Sequence, residues 1–145
     1  MERIFLLNLG STSLKFKLYE FEESENVIAS GEFERIGGAS GLWKIETSSQ
    51  RLEGEASFPS HEAAYEFCKE TLCSQGILTS FSSLSAIGYK AVHAGRLTGT
   101  RYVTENLLDE MERFSSFAPA HNPLYLGMMR LIRRKYPDII QAARF

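Results

Sequence analysis

The sequence predicts an α/β domain in which a mixed β-sheet has helices packed on its faces. The first half of the chain holds short segments of period-2 alternation separated by turn residues, as in antiparallel strands. The second half alternates helical patterns with apolar strand patterns, and such crossovers place strands in parallel. No repeat or linker interrupts the pattern, so residues 1–145 are predicted to form a single domain.

The amino-terminal segments form a predicted β-hairpin followed by three further strands. Residues 4–7 are a short apolar run, residues 8–13 a polar turn, and residues 14–19 alternate apolar residues with polar ones. Further strands are predicted at residues 27–36, 42–46 and 51–58. These are the least distinct elements, because short polar strands with glycines resemble loops in composition.

Three helices are predicted, each from an N-cap residue followed by apolar residues at helical spacing. The N-caps are Ser60, Thr104 and Asn122, and Pro123 suits the first position of the third helix. The faces expected to be buried are Ala64, Cys68 and Leu72; Leu107, Leu108, Met111 and Phe114; and Leu124, Met128, Leu131 and Ile132. Strands are predicted around these helices at residues 86–93, 102–103 and 139–145.

Composition argues against several functional classes. The formal net charge is −2 and the pI about 5.9, which argues against a dedicated nucleic-acid-binding protein. No apolar run approaches the length of a membrane span, and the first residues do not resemble a signal peptide. Cys68 and Cys73 fall on different faces of a predicted helix, which fits neither a disulfide nor a metal pair. A reducing, cytoplasmic location is therefore expected.

The predicted hairpin turn carries groups that suit a phosphate. Gly10 allows a close approach of the main chain, and Ser11 and Ser13 add hydroxyl donors. Lys15 supplies a positive charge, and Asn8 offers a carbonyl oxygen to a magnesium ion or its water shell. This is not the Walker pattern, because no helix follows the turn and the Gly-Lys-[Ser/Thr] ending is missing. On these residues alone, an ordinary Gly/Ser hairpin explains the turn somewhat better than a phosphate site does.

Two further polar clusters lie at the end of a predicted strand and before a predicted helix. Residues 90–96, Lys-Ala-Val-His-Ala-Gly-Arg, offer two cations and an imidazole that can clamp an anion. Residues 119–123, Pro-Ala-His-Asn-Pro, place His121 just before a helix cap. A solvated strand end explains the first cluster and helix capping the second. Loops beyond the carboxyl ends of strands also commonly line sites in α/β folds, so both explanations stay open.

In this order, the clusters resemble the acetate kinase family of the acetate and sugar kinase, heat-shock protein and actin superfamily. The family's Asn-Ala-Gly-Ser-Ser-Ser-Leu-Lys turn corresponds to residues 8–15 and its Glu-Arg-Ile-Gly to residues 34–37. Its His-Arg-Val-Val-His-Gly-Gly strand corresponds to residues 89–95 and its Ala-Pro-Leu-His-Asn-Pro loop to residues 118–123. The resemblance covers essentially the whole chain and implies a ribonuclease-H-like, actin-like ATPase domain.

The reaction implied by this resemblance is reversible, ATP-dependent phosphorylation of a short carboxylate, acetate or propionate, to an acyl phosphate. Mg²⁺ and ATP are the implied cofactors, and the implied full-length protein is a cytoplasmic homodimer without nucleic-acid or membrane partners. The implied site residues are Asn8 for the metal; Gly10, Ser11, Ser13 and Lys15 for the ATP phosphates; Lys90, Val92 and Ala120 for the substrate; and Lys90 and His121 for catalysis.

Three of the chain's departures from the family pattern bear on the implied activity. Lys90 replaces an arginine and loses the bidentate fork that suits a carboxylate. Ala120 replaces a leucine and removes bulk from the wall of the implied acyl pocket, so tolerance for longer acids such as propionate or butyrate is expected. The preference should be modest, because a methylene in such a pocket is worth only about 1–3 kcal/mol.

The third departure is at the end of the chain. In the family, a Phe-Asp-Thr-Ala-Phe-His segment and a second, nucleotide-binding domain follow the last strand, whereas this chain ends at Phe145. We therefore expect an amino-terminal half that is inactive by itself. The alternative is a non-catalytic binding or regulatory domain with the same fold.

Overall fold

The computed structural model describes residues 1–90, 98–115 and 122–145. Its strands are β1 (Glu2–Leu9), β2 (Leu14–Phe21), β3 (Glu25–Glu34), β4 (Gly41–Glu46), β5 (Arg51–Ala56), β6 (Ala86–Tyr89), β7 (Thr100–Tyr102) and β8 (Ile140–Arg144). Its helices are α1 (His61–Ser74), α2 (Glu105–Arg113) and α3 (Asn122–Lys135). The predicted order of strands and helices is confirmed.

The strands form one mixed sheet in the order β5-β4-β3-β2-β1-β6-β8-β7. Each of the first four strands pairs antiparallel with the next one along the chain. After the first crossover, β6 pairs parallel with β1, and β8 pairs parallel with β6. The sheet is therefore mixed, as the sequence predicts, and β1 at its centre has an antiparallel neighbour on one side and a parallel one on the other.

Alternation along β1 divides the sheet into two faces. Phe5, Leu7 and Leu9 are buried on the side that we call the core face, whereas Leu6 and Asn8 point to the opposite side, the open face. Helix α3 packs on the core face, where the Gln141 side chain of β8 donates a hydrogen bond to the carbonyl of Met129 at 3.2 Å.

The other two helices join α3 on the same side of the sheet. Helix α1 packs on the core face beside α3, with Phe67 stacked edge-on against Phe33 of β3. Helix α2 packs against α3, where Arg133 and Glu105 form an ion pair at 3.0 Å.

The predicted caps of α1 and α2 are confirmed. The Ser60 hydroxyl accepts a hydrogen bond from the amide of Ala63 at 3.1 Å, and the Thr104 hydroxyl accepts one from Leu107 at 3.2 Å. Helix α1 ends at Ser74, and two residues later Gly76 adopts a φ of +73°, the left-handed conformation that glycine commonly takes after a helix.

Several boundaries differ from the prediction by one to a few residues. Helix α3 already includes Asn122, the residue predicted as its N-cap, and Leu124 is only half-buried. Strand β3 begins two residues before the predicted start, and it ends at Glu34 because Arg35 adopts a φ of 59° and leaves the extended conformation. Strand β7 covers residues 100–102 rather than 102–103.

Candidate functional site

Three predicted site residues form a row across the open face. Asn8, near the end of β1, pairs with Lys15 of β2. Lys90 directly follows β6 on the other side of β1, and its amide donates to the carbonyl of Leu7 at 3.0 Å. Because β1 lies between β2 and β6, the side chains of Lys15, Asn8 and Lys90 line one groove of about 300 Å³. The fold thus brings together residues from the first and second clusters of the sequence.

Charge is distributed unevenly in this groove. Lys44 is paired with Glu32 at 3.3 Å. Partial burial by itself would raise the pKa of the Glu32 carboxyl, but the hydrogen bond from Lys44 and the charges of Lys44 and Lys15 hold the pKa below its usual value. Lys15, Lys17 and Lys90 have no ion-pair partner among the described residues. The end of the groove around Asn8 therefore carries lysines that are not held in a close ion pair within the described residues.

The β1–β2 turn lies at this end of the hairpin. The amide of Gly10 donates to the carbonyl of Ser13 at 2.9 Å, and Ser11 and Thr12 between them are exposed. A Cβ at position 10 would lie 2.5 Å from the Ser13 hydroxyl oxygen, so a larger residue there would force the Ser13 side chain to move. Within the described part of the chain, no hydroxyl of residues 11–13 has a hydrogen-bond partner. These groups are free to bind a ligand, although Gly10, Ser11 and Ser13 do not line the groove itself.

A histidine that the sequence did not single out anchors this turn. His61 is the first residue of α1 and only 8% exposed. Its Nε2 lies 2.6 Å from the carbonyl oxygen of Gly10, and because a carbonyl only accepts, this nitrogen carries the proton. The main chain is held at a second point, where the amide of Ile36 donates to Thr12 at 2.9 Å. The turn is thus held against the core at Gly10 and Thr12, while the residues Ser11 and Thr12 are exposed.

A second residue missed from the sequence, Tyr125 of α3, contacts the row from the core face. Its hydroxyl accepts a hydrogen bond from the amide of Leu9 at 3.0 Å and donates to the carbonyl of Lys90. It also lies 3.4 Å from Asn8 Oδ1. Burial raises the pKa of Tyr125, against a smaller opposing effect of the Leu9 amide, so the hydroxyl keeps its proton at neutral pH.

The other predicted site residues, Val92, Ala120 and His121, lie outside the described residues. Within the described ranges, no group of three or more histidine, cysteine or acidic side chains is arranged to hold a metal ion. In the same part of the chain, no helix is long and apolar enough to cross a membrane.

Comparison with known proteins bears on the function of this arrangement. The model of the acetokinase family matches residues 3–145. The chain belongs to this family. Among curated relatives, it is 32% identical to acetate kinase 2 of Listeria monocytogenes over its whole length and 35% identical to the acetate kinase of Helicobacter acinonychis over 98% of it.

The structural comparison agrees with the family match. The crystal structure of Porphyromonas gingivalis acetate kinase matches all of this chain with a TM-score of 0.87 at 28% sequence identity. The predicted family and the predicted ribonuclease-H-like, actin-like ATPase fold are therefore confirmed. The chain spans 36% of the length of both curated relatives and 37% of the P. gingivalis chain.

Proposed function

We propose that this chain supplies the carboxylate- and phosphate-binding half of an acyl kinase. The proposed reaction is reversible transfer of a phosphoryl group from ATP to a short carboxylate, acetate or propionate, giving an acyl phosphate and ADP. The observation that carries the proposal is the row of Lys15, Asn8 and Lys90 on the open face, at the carboxyl end of β1, in a chain of the acetokinase family. The whole protein is proposed to be cytoplasmic and homodimeric.

The two lysines of the row have separate roles in this proposal. Phosphoryl transfer depends mainly on positioning the reactants and on neutralising their charge. Lys15 and the free hydroxyl groups of Ser11 and Ser13 are proposed to bind the transferring phosphate, with the main chain of Gly10 in close approach. Lys90, on the other side of β1, is proposed to hold the substrate carboxylate as a point charge. Since neither ammonium group is committed to an ion pair, both are available to anionic reactants.

The described residues fit Mg²⁺ as an ion bound together with phosphate. Mg²⁺ prefers oxygen ligands and usually retains waters and substrate phosphates in its shell, with only one or two protein ligands. The amide oxygen of Asn8 is such a ligand, and no carboxylate cage surrounds it in the described part of the chain. When bound, Mg²⁺ would neutralise phosphate charge. His121 remains the proposed second catalytic residue, and Val92 and Ala120 the proposed wall of the acyl pocket.

A binding experiment with matched lysine variants tests this proposal. The isotope-labelled 145-residue chain is titrated with acetyl phosphate and Mg²⁺ while its amide resonances are followed by NMR. We expect the amide resonances of Asn8, of residues 10–13 and of Lys90 to change their chemical shifts. Lys15→Ala and Lys90→Ala should each weaken binding about tenfold or more, because a hydrogen bond to a charged group is worth about 1.5–3 kcal/mol.

Lys17→Ala is the matched control for this titration. Lys17 lines the same groove and also lacks an ion pair among the described residues, but it pairs with Leu6 rather than with Asn8. We expect its replacement to change the affinity by no more than about twofold, since screening weakens charges away from the contact. The proposal would be refuted if the unaltered chain did not bind acetyl phosphate, or if all three variants lost the same affinity.

A further inference from the structure

Three buried tyrosines of the core face have hydroxyl groups in different settings. The hydroxyl of Tyr65 has no hydrogen-bond partner within the described residues. The hydroxyl of Tyr89 donates to Gln141 at 2.5 Å inside the core. Of the three hydroxyl groups, only the one of Tyr125 reaches the candidate site. The Tyr125 side chain itself is fully buried. Tyr125 is thus the one of the three whose hydroxyl contacts site residues.

The hydroxyl of Tyr125 occupies a particular place in the hydrogen-bond ladder between β1 and β6. In this parallel pair, the amide of Lys90 donates to the carbonyl of Leu7, so the next ladder bond would run from the amide of Leu9 to the carbonyl of Lys90. Those are the two main-chain groups that the hydroxyl contacts: it accepts from Leu9 and donates to Lys90. The hydroxyl therefore stands between the two strand ends in place of a direct bond.

This insertion coincides with the site. Asn8, which precedes Leu9, has its Oδ1 3.4 Å from the same hydroxyl. The side chains of Asn8 and Lys90 both leave the sheet on the open face, into the groove. A group that separates the two strand ends consequently sets the spacing between these side chains.

We propose that Tyr125 is a positioning residue: by inserting its hydroxyl between the ends of β1 and β6, it holds Asn8 and Lys90 at the separation that an acyl phosphate requires. The inference rests on the proposed function for the identity of the ligand. Burial, which raises the pKa of Tyr125, keeps the hydroxyl protonated, so it donates to Lys90 while accepting from Leu9. Without the hydroxyl, Leu9 and Lys90 would bond directly, and the spacing of Asn8 and Lys90 would change.

The test compares Tyr125→Phe with Tyr89→Phe in the 145-residue chain. Each variant keeps its ring and loses one hydrogen-bonded, buried hydroxyl, but only the first alters the strand ends. We expect Tyr125→Phe to shift the Leu9 amide and Asn8 side-chain resonances and to weaken binding of acetyl phosphate with Mg²⁺ at least fivefold. Tyr89→Phe should leave that affinity within twofold of the original, even if its thermal midpoint falls further.

The outcomes separate this inference from the proposed function. Unchanged affinity in Tyr125→Phe, or equal losses in both variants, would overturn the positioning role. If the unaltered chain bound no acetyl phosphate, the proposed function would fail. The position of the Tyr125 hydroxyl between the strand ends would still be testable, and unshifted Leu9 and Asn8 resonances in Tyr125→Phe would refute it. If Tyr125→Phe did not fold, the unaltered chain decides: a slowly exchanging Tyr125 hydroxyl proton close to Asn8 supports the role, and its absence contradicts it.

Discussion

The two faces of β1 differ more than their shared main chain suggests. On the core face, Leu7 is completely inaccessible to solvent, and Phe5 stacks on Phe16 with ring centroids 5.2 Å apart. On the open face, one residue away in sequence, Asn8 lies between two lysines that lack ion-pair partners in the described part of the chain. Burial of apolar side chains stabilises the first face, whereas lysines without a close ion pair make the second suited to an anionic ligand. One strand can thus serve stability and binding through alternate residues.

Truncation of adjacent leucines of β1 should affect stability very differently on the two faces. Leu7→Ala removes a fully buried side chain from the core face and should lower the free energy of unfolding by about 2–5 kcal/mol. Leu6→Ala removes the same atoms from the open face, where the side chain is only half-buried over Gly88, and should cost clearly less, about 1 kcal/mol. Urea denaturation of both variants measures the difference. Equal losses would mean that the open face contributes to stability as much as the core face does.

Much of this division is predictable from local sequence. The alternation of residues 14–19 assigns Lys15 and Lys17 to one face. The starts of two helices are likewise predictable from the caps at Ser60 and Thr104, because each cap depends only on residues within one helical turn. The row of Lys15, Asn8 and Lys90 was accessible only through the resemblance of ordered motifs. The pairing of β1 with β6, which brings Lys90 next to Asn8, joins segments about 80 positions apart. No local sequence pattern indicates such a pairing.

The anchoring residues were not predictable for the same reason. Tyr125 lies 116 positions from Leu9 and 35 from Lys90, and its place beside Leu124 in a predicted apolar helix gave no indication of a polar contact. His61 contacts Gly10 across 51 positions. In both cases one polar atom of a buried side chain meets main-chain groups, and main-chain groups carry no residue-specific pattern. Such contacts become visible only after the fold brings distant segments together.

A second prediction concerns how tightly the core face is packed between strands. Gly31 of β3 has Phe16 lying over it, and a Cβ at position 31 would come within 2.6 Å of the Phe16 ring and 2.4 Å of the carbonyl of Lys44. Gly31→Ala should therefore lower the free energy of unfolding by about 1–3 kcal/mol through overpacking. Gly127→Ala is the control, because nothing lies within 4 Å of its added Cβ and its helical position should gain up to about 1 kcal/mol. In thermal denaturation, we expect Gly31→Ala to lower the midpoint temperature and Gly127→Ala to raise it. An unchanged midpoint in Gly31→Ala would contradict close packing at this position.

The smallest expected effect belongs to the ion pair of Lys44 and Glu32 on the open face. Both side chains are about a third exposed, so the pair should stabilise the fold by no more than about 1 kcal/mol. The folded-state pKa of Glu32 lies below its ordinary value, so this contribution is complete above the unfolded-state pKa and is lost as the pH falls through the folded-state pKa.

Replacement of this one carboxylate at two pH values measures that contribution. Glu32→Gln should be slightly less stable than the original chain at pH 7, and the two should converge as the pH falls through the folded-state pKa of Glu32 and the carboxyl is protonated. Glu25→Gln, on the same strand without an ion pair within the described residues, should show no difference at pH 7. A gap that widened on acidification would contradict this pH dependence, and a Glu32→Gln loss well above 1 kcal/mol at pH 7 would show that paired charge stabilises the open face. The two faces would then differ in ligand binding but not in their share of the stability.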